Sequence, residues 1–231
     1  MSSGKKPSPT VFVVDDDPDI REAVALLMKS VRLPVRSFAG AAEFLAAWDP
    51  DQPGCLVLDV RMPGMSGLEL QNELNDRGAG IPIVFLSGHG DISMALRAVR
   101  EGAVDFLEKP FRDQALIDAV HAALGLDESR RKARTEGDRV LALVGSLTPR
   151  EAQVSELVAS GRSSPEIARS LKLSSRTVEM HRARAMRRLG VDGVAELTRL
   201  ILEARLVSGG GSPLPDPASP KQRVRRKEAR G

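Results

Sequence analysis

The stretch Cys55-Leu56-Val57-Leu58-Asp59-Val60-Arg61-Met62-Pro63-Gly64 decides the fold. Four apolar residues in succession, then one carboxylate and a Pro-Gly turn, predict a strand covered on both faces, as in a parallel sheet. In open α/β sheets, binding and chemistry collect at the carboxyl ends of such strands. Asp59 stands at that end. Taken alone it reads as a turn former or a helix cap. The flanking stretches change that reading.

Upstream, Thr10 to Val14 is a β-branched run followed by Asp15-Asp16-Asp17-Pro18. Pro18 suits the first turn of a helix, and the acidic residues suit its N-terminus. Ile20, Val24, Leu27 and Val31 then recur at helical spacing. Pro34 to Phe38 predicts a second strand, and Ala41 to Trp48 a helix with Phe44, Leu45 and Trp48 inward. Downstream of Gly54 to Leu58, Ser66-Gly67-Leu68-Glu69 has the capping-box pattern. Leu68, Leu70 and Leu74 follow on that helix. Ile81 to Leu86 and Ala103 to Leu107 predict two more strands, separated by a helix over Asp91 to Arg100. Leu116 to Leu124 lies on the last helix. This alternation implies a parallel sheet with helices on both faces.

The strand ends carry a pattern of their own. Asp15 and Asp16 follow the first strand, Asp59 the third, Ser87 the fourth, and Lys109-Pro110 the fifth. All fall on one edge of the sheet. Carboxylates held together repel, so they favour a raised pKa or a bound hard cation. Mg²⁺ prefers oxygen ligands and suits a few carboxylates beside a phosphate. A lysine adds a point positive charge, and a serine a hydroxyl donor. Such a set binds and moves a phosphoryl group. Singly, each residue has a plainer role: helix cap, loop hydroxyl or surface charge.

Composition bounds the rest. With 231 residues, 42% of them hydrophobic, the chain suits one large or two ordinary domains. No run approaches the ~18 apolar residues of a membrane span. No signal-peptide core follows the polar Met1 to Pro9. The single cysteine, Cys55, rules out a disulfide within the chain, which fits the cytoplasm. The net charge of +3 is unevenly spread: residues 1–125 hold 12 Lys and Arg against 18 Asp and Glu, and residues 147–206 hold 11 against 7. An acidic half joined to a basic half suggests two tasks, the basic one on nucleic acid.

Residues 9–124 resemble the receiver domain of two-component response regulators. The resemblance rests on Val13-Val14-Asp15-Asp16, on Leu58 to Gly67, on Phe85-Leu86-Ser87-Gly88 and on Phe106 to Phe111. It implies five parallel strands in the flavodoxin-like order 2-1-3-4-5. By position, Asp59 would accept a phosphoryl group from a partner histidine kinase. Asp16 would ligate Mg²⁺ directly, Asp15 largely through water, and Arg61 through its backbone carbonyl, with Asp59 completing the metal set. Arg21 favours Asp15 and Asp16, rather than Asp17, as the acidic pair. Lys109 would pair with one phosphoryl oxygen and Ser87 would hydrogen-bond another. Phe106 occupies the switch-aromatic position, and Lys109-Pro110 is a cis bond in the family. Phosphorylation would then favour a homodimer, with Arg97, Val99 and Phe111 as candidate face residues.

The second half is helical in pattern. Thr148-Pro149-Arg150-Glu151 is a capping box with proline at the first helical position, and Val154, Leu157 and Val158 form the apolar face. Ser163-Ser164-Pro165-Glu166 starts the next helix, with Ile167, Ala168 and Leu171 inward. After a short turn, a third helix runs from Ser175 to Leu189, with Val178, Ala185 and Leu189 buried. Val191 to Leu206 predicts a fourth. Two helices joined by so short a turn are a helix-turn-helix. The third helix bears Arg176, Arg182, Arg184, Arg187 and Arg188, as a helix in the major groove of double-stranded DNA would. A solvated basic helix in an interaction bundle is the plainer alternative.

Leu147 to Glu151, Ile167-Ala168 and Arg176 to Arg182 resemble the LuxR-type helix-turn-helix of the NarL and FixJ regulators. By position, Glu179, Met180 and Ala183 would face bases, and Thr177, His181, Arg184 and Arg188 would favour phosphates. Asparagine is frequent in the family where this chain has Arg184. His181 is balanced between a half-buried core role and a phosphate contact.

The expected organisation is a flexible N-terminus over 1–9, a receiver over 10–125, a linker over 126–146, a helix-turn-helix domain over 147–206, and a disordered basic tail over 207–231. The linker either extends the preceding helix or is solvated. The predicted function is a cytoplasmic transcription regulator, not an enzyme, that is switched by phosphorylation at Asp59. Two alternatives stand beside it: a phosphorylation-independent DNA-binding regulator with a vestigial acidic site, and an aspartate-phosphate hydrolase.

Overall fold

The computed structural model describes residues 8–88 and 97–209. The chain divides into two compact units, Met1–Lys132 and Ala133–Gly231.

The first unit is a five-stranded parallel sheet in the order β2-β1-β3-β4-β5. Its strands are β1 (Thr10–Val14), β2 (Val35–Phe38), β3 (Gly54–Asp59), β4 (Ile83–Ser87) and β5 (Asp105–Glu108). The helices between them are α1 (Pro18–Ser30), α2 (Ala41–Ala47) and α3 (Gly67–Asp76). The helix expected over Asp91 to Arg100 lies partly outside the described residues; residues 97–100 are helical. Every residue of β1, β3 and β4 is buried, because both faces of the central strands are covered. The two-residue period then splits the apolar side chains into two cores. Phe12, Val14, Leu56, Leu58 and Phe85 lie on one face, and Val11, Val13, Cys55, Val57, Val84 and Leu86 on the other. The edge strands β2 and β5 keep exposed positions.

Local chemistry sets the helix starts. Asp17 caps α1 by accepting the Asp19 N–H, and Pro18 is its first residue. Ser66 and Glu69 form a full capping box at α3.

The helix α4 runs unbroken from Asp113 to Gly145. Of the two expectations for residues 126–146, the helical extension is the one observed. Within the first unit, Asp127 is buried and accepts the Gly54 N–H at 2.9 Å. Arg131 pairs with Asp127 and donates to the carbonyls of Pro50, Asp51 and Gln52. Arg130 donates to the Gly80 carbonyl. These bonds tie the helix to the loops before β3 and β4.

The second unit holds the end of α4 with α5 (Pro149–Ala159), α6 (Ser164–Leu171), α7 (Ser175–Leu189) and α8 (Val194–Val207). Val140 and Val144 of α4 are core residues beside Val154, Ile167, Val178, Ala185, Leu189, Leu197 and Ile201. Thr148–Glu151 and Ser163–Glu166 form capping boxes at α5 and α6. Lys172, at a left-handed φ of 53°, turns the chain between α6 and α7. Among the described residues, no helix is long and apolar enough to cross a membrane. The expected flexible N-terminus and basic tail lie almost wholly outside the described residues.

Candidate functional site

Register places the expected receiver residues together. Val14 aligns with Leu58, Asp59 with Leu86, and Ser87 with Glu108. Asp15, Asp59, Ser87 and Lys109 therefore emerge side by side at the carboxyl edge of β1, β3, β4 and β5. Asp15 and Ser87 are each 1% exposed, and Asp59 is 6% exposed. Lys109 Nζ lies 2.6 Å from Asp59 Oδ1 and 2.7 Å from Asp15 Oδ2, bridging two buried carboxylates. Asp59 Oδ2 accepts the Arg61 N–H, and Asp15 Oδ1 accepts the Asp17 N–H. Asp16 is exposed on the rim. Arg21 donates to the backbone carbonyls of Asp15 and Asp16 and so fixes the loop that presents them. The Lys109-Pro110 bond is cis.

Burial pushes the Asp59 carboxyl above its usual range, and the bonds from Lys109 only partly offset this. Burial also works against the Lys109 ammonium, but its bonds to Asp15 and Asp59 prevail and raise its pKa. The balance of charge is the informative quantity. Two buried carboxylates share one lysine, with a third carboxylate, Asp16, on the rim. A net negative pocket of oxygen ligands fits a hard divalent cation. Among the described residues, no three His, Cys, Asp or Glu side chains stand close enough to hold a metal by themselves. Asp15, Asp16, Asp59 and the Arg61 carbonyl would thus hold Mg²⁺ only with water in the remaining positions.

Ser87 Oγ donates to the Gly88 carbonyl at 2.8 Å. Phe106 is half-buried, its ring centroid 6.2 Å from that of Phe85. Val99 is 55% exposed, and Arg97 is paired with Glu101. Phe111 packs against the second receiver core, so it offers less surface than Val99.

The helix α7 separates the expected DNA-facing residues into two sets. Arg176, Glu179, Met180, Ala183, Arg184, Arg187 and Arg188 are exposed at steps of three and four residues, which is one face of the helix. Val178, Ala185 and Leu189 face the core. Thr177, His181 and Arg182 lie at the margin, half-buried. Among the described residues, Arg176, Arg184 and Arg187 make no ion pair. Arg188 differs: its Nε is 3.3 Å from the buried Glu151, and its Nη1 donates to the Ser146 carbonyl. That arginine staples α7 to the start of α5. Sequence reasoning missed this because the partner lies 37 positions away, and only packing brings it near.

Two family models match the chain. The response regulator receiver domain covers residues 11–121, and the bacterial regulatory proteins of the luxR family cover residues 145–201. This chain is a response regulator of the FixJ/NarL family. The transcriptional regulatory protein TdiR of Thauera aromatica is 43% identical over 208 residues, covering 89% of this chain and 92% of that protein. The transcriptional regulatory protein FixJ of Azorhizobium caulinodans is 44% identical over 194 residues, covering 84% and 92%. Among solved structures, the response regulator StyR is similar at 47% identity and a TM-score of 0.77, over 85% of this chain and 99% of that one. Full-length FixJ from B. japonicum is similar at 38% identity and a TM-score of 0.53, over 87% and 98%. This regulator is thus a DNA-binding transcriptional regulator of the two-component type, with a parallel 2-1-3-4-5 receiver followed by an all-helical LuxR-type domain. Its family is one of transcription factors, which removes the aspartate-phosphate hydrolase alternative.

Proposed function

We propose that Asp59 is the phosphoacceptor through which a partner histidine kinase controls DNA binding by this regulator. The observation that supports this best is the position of the Asp59 carboxylate, 2.6 Å from Lys109 at the end of β3 and buried beside Ser87. A carboxylate oxygen of Asp59 forms the new P–O bond as the P–N bond of the donor phosphohistidine breaks. The imidazole of the kinase keeps the electron pair. Asp15, Asp16, Asp59 and the Arg61 carbonyl would hold Mg²⁺ together with water, and the bound ion would supply charge neutralisation at the phosphoryl oxygens. Lys109 pairs with one of those oxygens. Ser87 donates to another once it leaves the Gly88 carbonyl.

The switch then follows from packing. Phosphorylation adds charge and strong acceptor oxygens. Ser87 is drawn to them, and Phe106 turns into the volume it vacates. The exposed surface that includes Val99 and β5 changes with it, and two copies pair there. In the LuxR-type domain the exposed face of α7 enters the major groove. Arg176, Arg184 and Arg187 serve phosphates with Thr177 and His181, Arg182 lies beside Glu179, and Glu179, Met180 and Ala183 face bases. The functional division is a receiver over 10–125, a linker over 126–146 and an output domain over 147–206, acting in the cytoplasm.

The test measures dimerisation and affinity for a duplex selected by the protein, with Mg²⁺, with and without acetyl phosphate. Wild type is expected to gain both properties with the phosphodonor, and Asp59→Asn neither. If both proteins bind DNA equally and neither responds, the regulator acts independently of phosphorylation.

A further inference from the structure

The first and second helices of the helix-turn-helix are joined by three polar side chains that meet at their junction. Ser164, the first residue of α6, donates from Oγ to Glu179 Oε1 on α7 at 2.9 Å. Arg182, one turn further along α7, lies 3.2 Å from the other oxygen, Oε2, through its Nη2. Its Nη1 reaches Ser164 Oγ at 3.5 Å, which nearly closes the triangle. Both oxygens of Glu179 are thereby held from two directions, yet its side chain remains 54% exposed on the face of α7 that carries Arg176, Met180, Ala183 and Arg184.

That combination is unusual for a side chain of either plain kind. A carboxylate serving only solubility has no reason to be tied on both oxygens. A carboxylate loose on a DNA-facing surface would be repelled by phosphates. Here the Arg182 guanidinium offsets the charge of Glu179 at hydrogen-bond range. The two hydrogen bonds leave lone pairs on the carboxylate, which has about four acceptor positions. In the major groove, the exocyclic amino donors are cytosine N4 and adenine N6, and guanine and thymine O4 offer none; adenine sets its N7 acceptor beside the donor, where a carboxylate is repelled, so cytosine N4 is the better match. Arg182 is itself constrained: its Nε is buried without a hydrogen-bond partner among the described residues, so the guanidinium is held by packing as well as by Glu179.

We infer that Ser164 is a positioning residue for base recognition. With Arg182 it holds the Glu179 carboxylate in one orientation, set to accept a hydrogen bond from cytosine N4. The inference rests on the proposal that this face of α7 enters the major groove. Ser164 acts on sequence preference and not on affinity for DNA in general, because holding a side chain in its bound rotamer lowers the ordering cost of one specific contact.

The experiment uses the full-length regulator with Mg²⁺ and acetyl phosphate. Duplexes are selected from a pool with a randomised 20-bp core, and base preference at each position is read from the selected sequences. Wild type, Ser164→Ala, Ser164→Thr and Glu179→Gln are compared. Binding to an unselected duplex and thermal melting are measured in parallel. Wild type is expected to select cytosine at one position of each half-site. Ser164→Ala is expected to lower that preference by about tenfold, with melting temperature and unselected-duplex binding unchanged. Ser164→Thr, which keeps the hydroxyl, restores the preference, and Glu179→Gln abolishes it. If Ser164→Ala keeps the wild-type preference, the inference is overturned and the triangle only staples two helices. If wild type selects a motif without a Glu179-dependent cytosine, the inference also fails while DNA reading by α7 stands. If wild type selects no motif at all, the placement of α7 against bases fails first.

Discussion

Gly67 stands so close to Asp59 that a Cβ on it would lie 2.2 Å from the Asp59 carbonyl oxygen. The first residue of α3 thus packs directly on the backbone of Asp59. The Met62 to Ser66 turn returns the chain to that point, with the Gly67 N–H donating to the Val60 carbonyl at 3.0 Å.

Gly67→Ala is therefore expected to displace the end of β3. It should cost about 2–3 kcal/mol in urea unfolding and abolish phosphoryl incorporation from acetyl phosphate. Gly64→Ala is the control. Gly64 has open space around it but a φ of +79°, so the cost is about 1 kcal/mol of backbone strain and phosphorylation persists. Equal behaviour of the two variants would refute the close-packing account.

Arg187 and Arg188 are neighbours in sequence, but of the two it is Arg188 that is paired with the buried Glu151. Arg187→Ala and Arg184→Ala should each reduce the slope of log K against log salt for DNA binding by about one. Arg188→Ala should leave that slope unchanged and lower stability by about 1–2 kcal/mol, because Glu151 loses its ion-pair partner. A changed slope for Arg188→Ala would return that residue to the phosphate-binding set.

The buried Glu151 makes the output unit acid-sensitive. Burial alone would raise its pKa. The Thr148 N–H and hydroxyl, with the positive charges of Arg188 and His181, prevail and hold it below the usual carboxyl range. A depressed folded-state pKa contributes stability above the unfolded value of about 4.3. That contribution is lost as pH falls through the lower folded value. Glu151→Gln should be less stable by about 1–2 kcal/mol at neutral pH, and the difference from wild type should vanish in acid. A constant difference across the acid titration would contradict this reading.

Asp127 and Cys55 give a probe of the receiver core. Burial, reinforced by the nearby Asp127 carboxylate, pushes the Cys55 thiol up to about 12. Cys55 should react with a thiol reagent only when the receiver unfolds. Asp127→Ala leaves the Gly54 N–H and Arg131 without their shared acceptor. It should cost about 2–3 kcal/mol and speed the labelling of Cys55 accordingly. Rapid labelling of the native wild type would show that β3 opens locally.

Much of this architecture is written in short-range pattern. The apolar runs ending in Asp15, Asp59, Ser87 and Lys109, and the capping boxes at Ser66, Thr148 and Ser163, depend on neighbours within a few residues. Local propensity suffices to read them. Their convergence on one sheet edge follows from strand alternation, because parallel strands share a direction. The charged run from Asp127 to Arg139 was harder to read. Its charge pattern suits an exposed helix and a solvated linker equally. What decides between them is Asp127 meeting Gly54, and Val140 and Val144 entering a core.

The sequence by itself determined the parallel α/β receiver, the helix-turn-helix and the gathering of Asp15, Asp59, Ser87 and Lys109 at one sheet edge, because hydrophobic period and capping are local and parallel strands share a direction. Only the tertiary structure decided that Arg188 is paired with Glu151, that Phe111 packs inward, and that Glu179 is tied to Ser164. Those outcomes depend on side chains from separate helices competing for the same partner, and sequence distance carries no information about that competition.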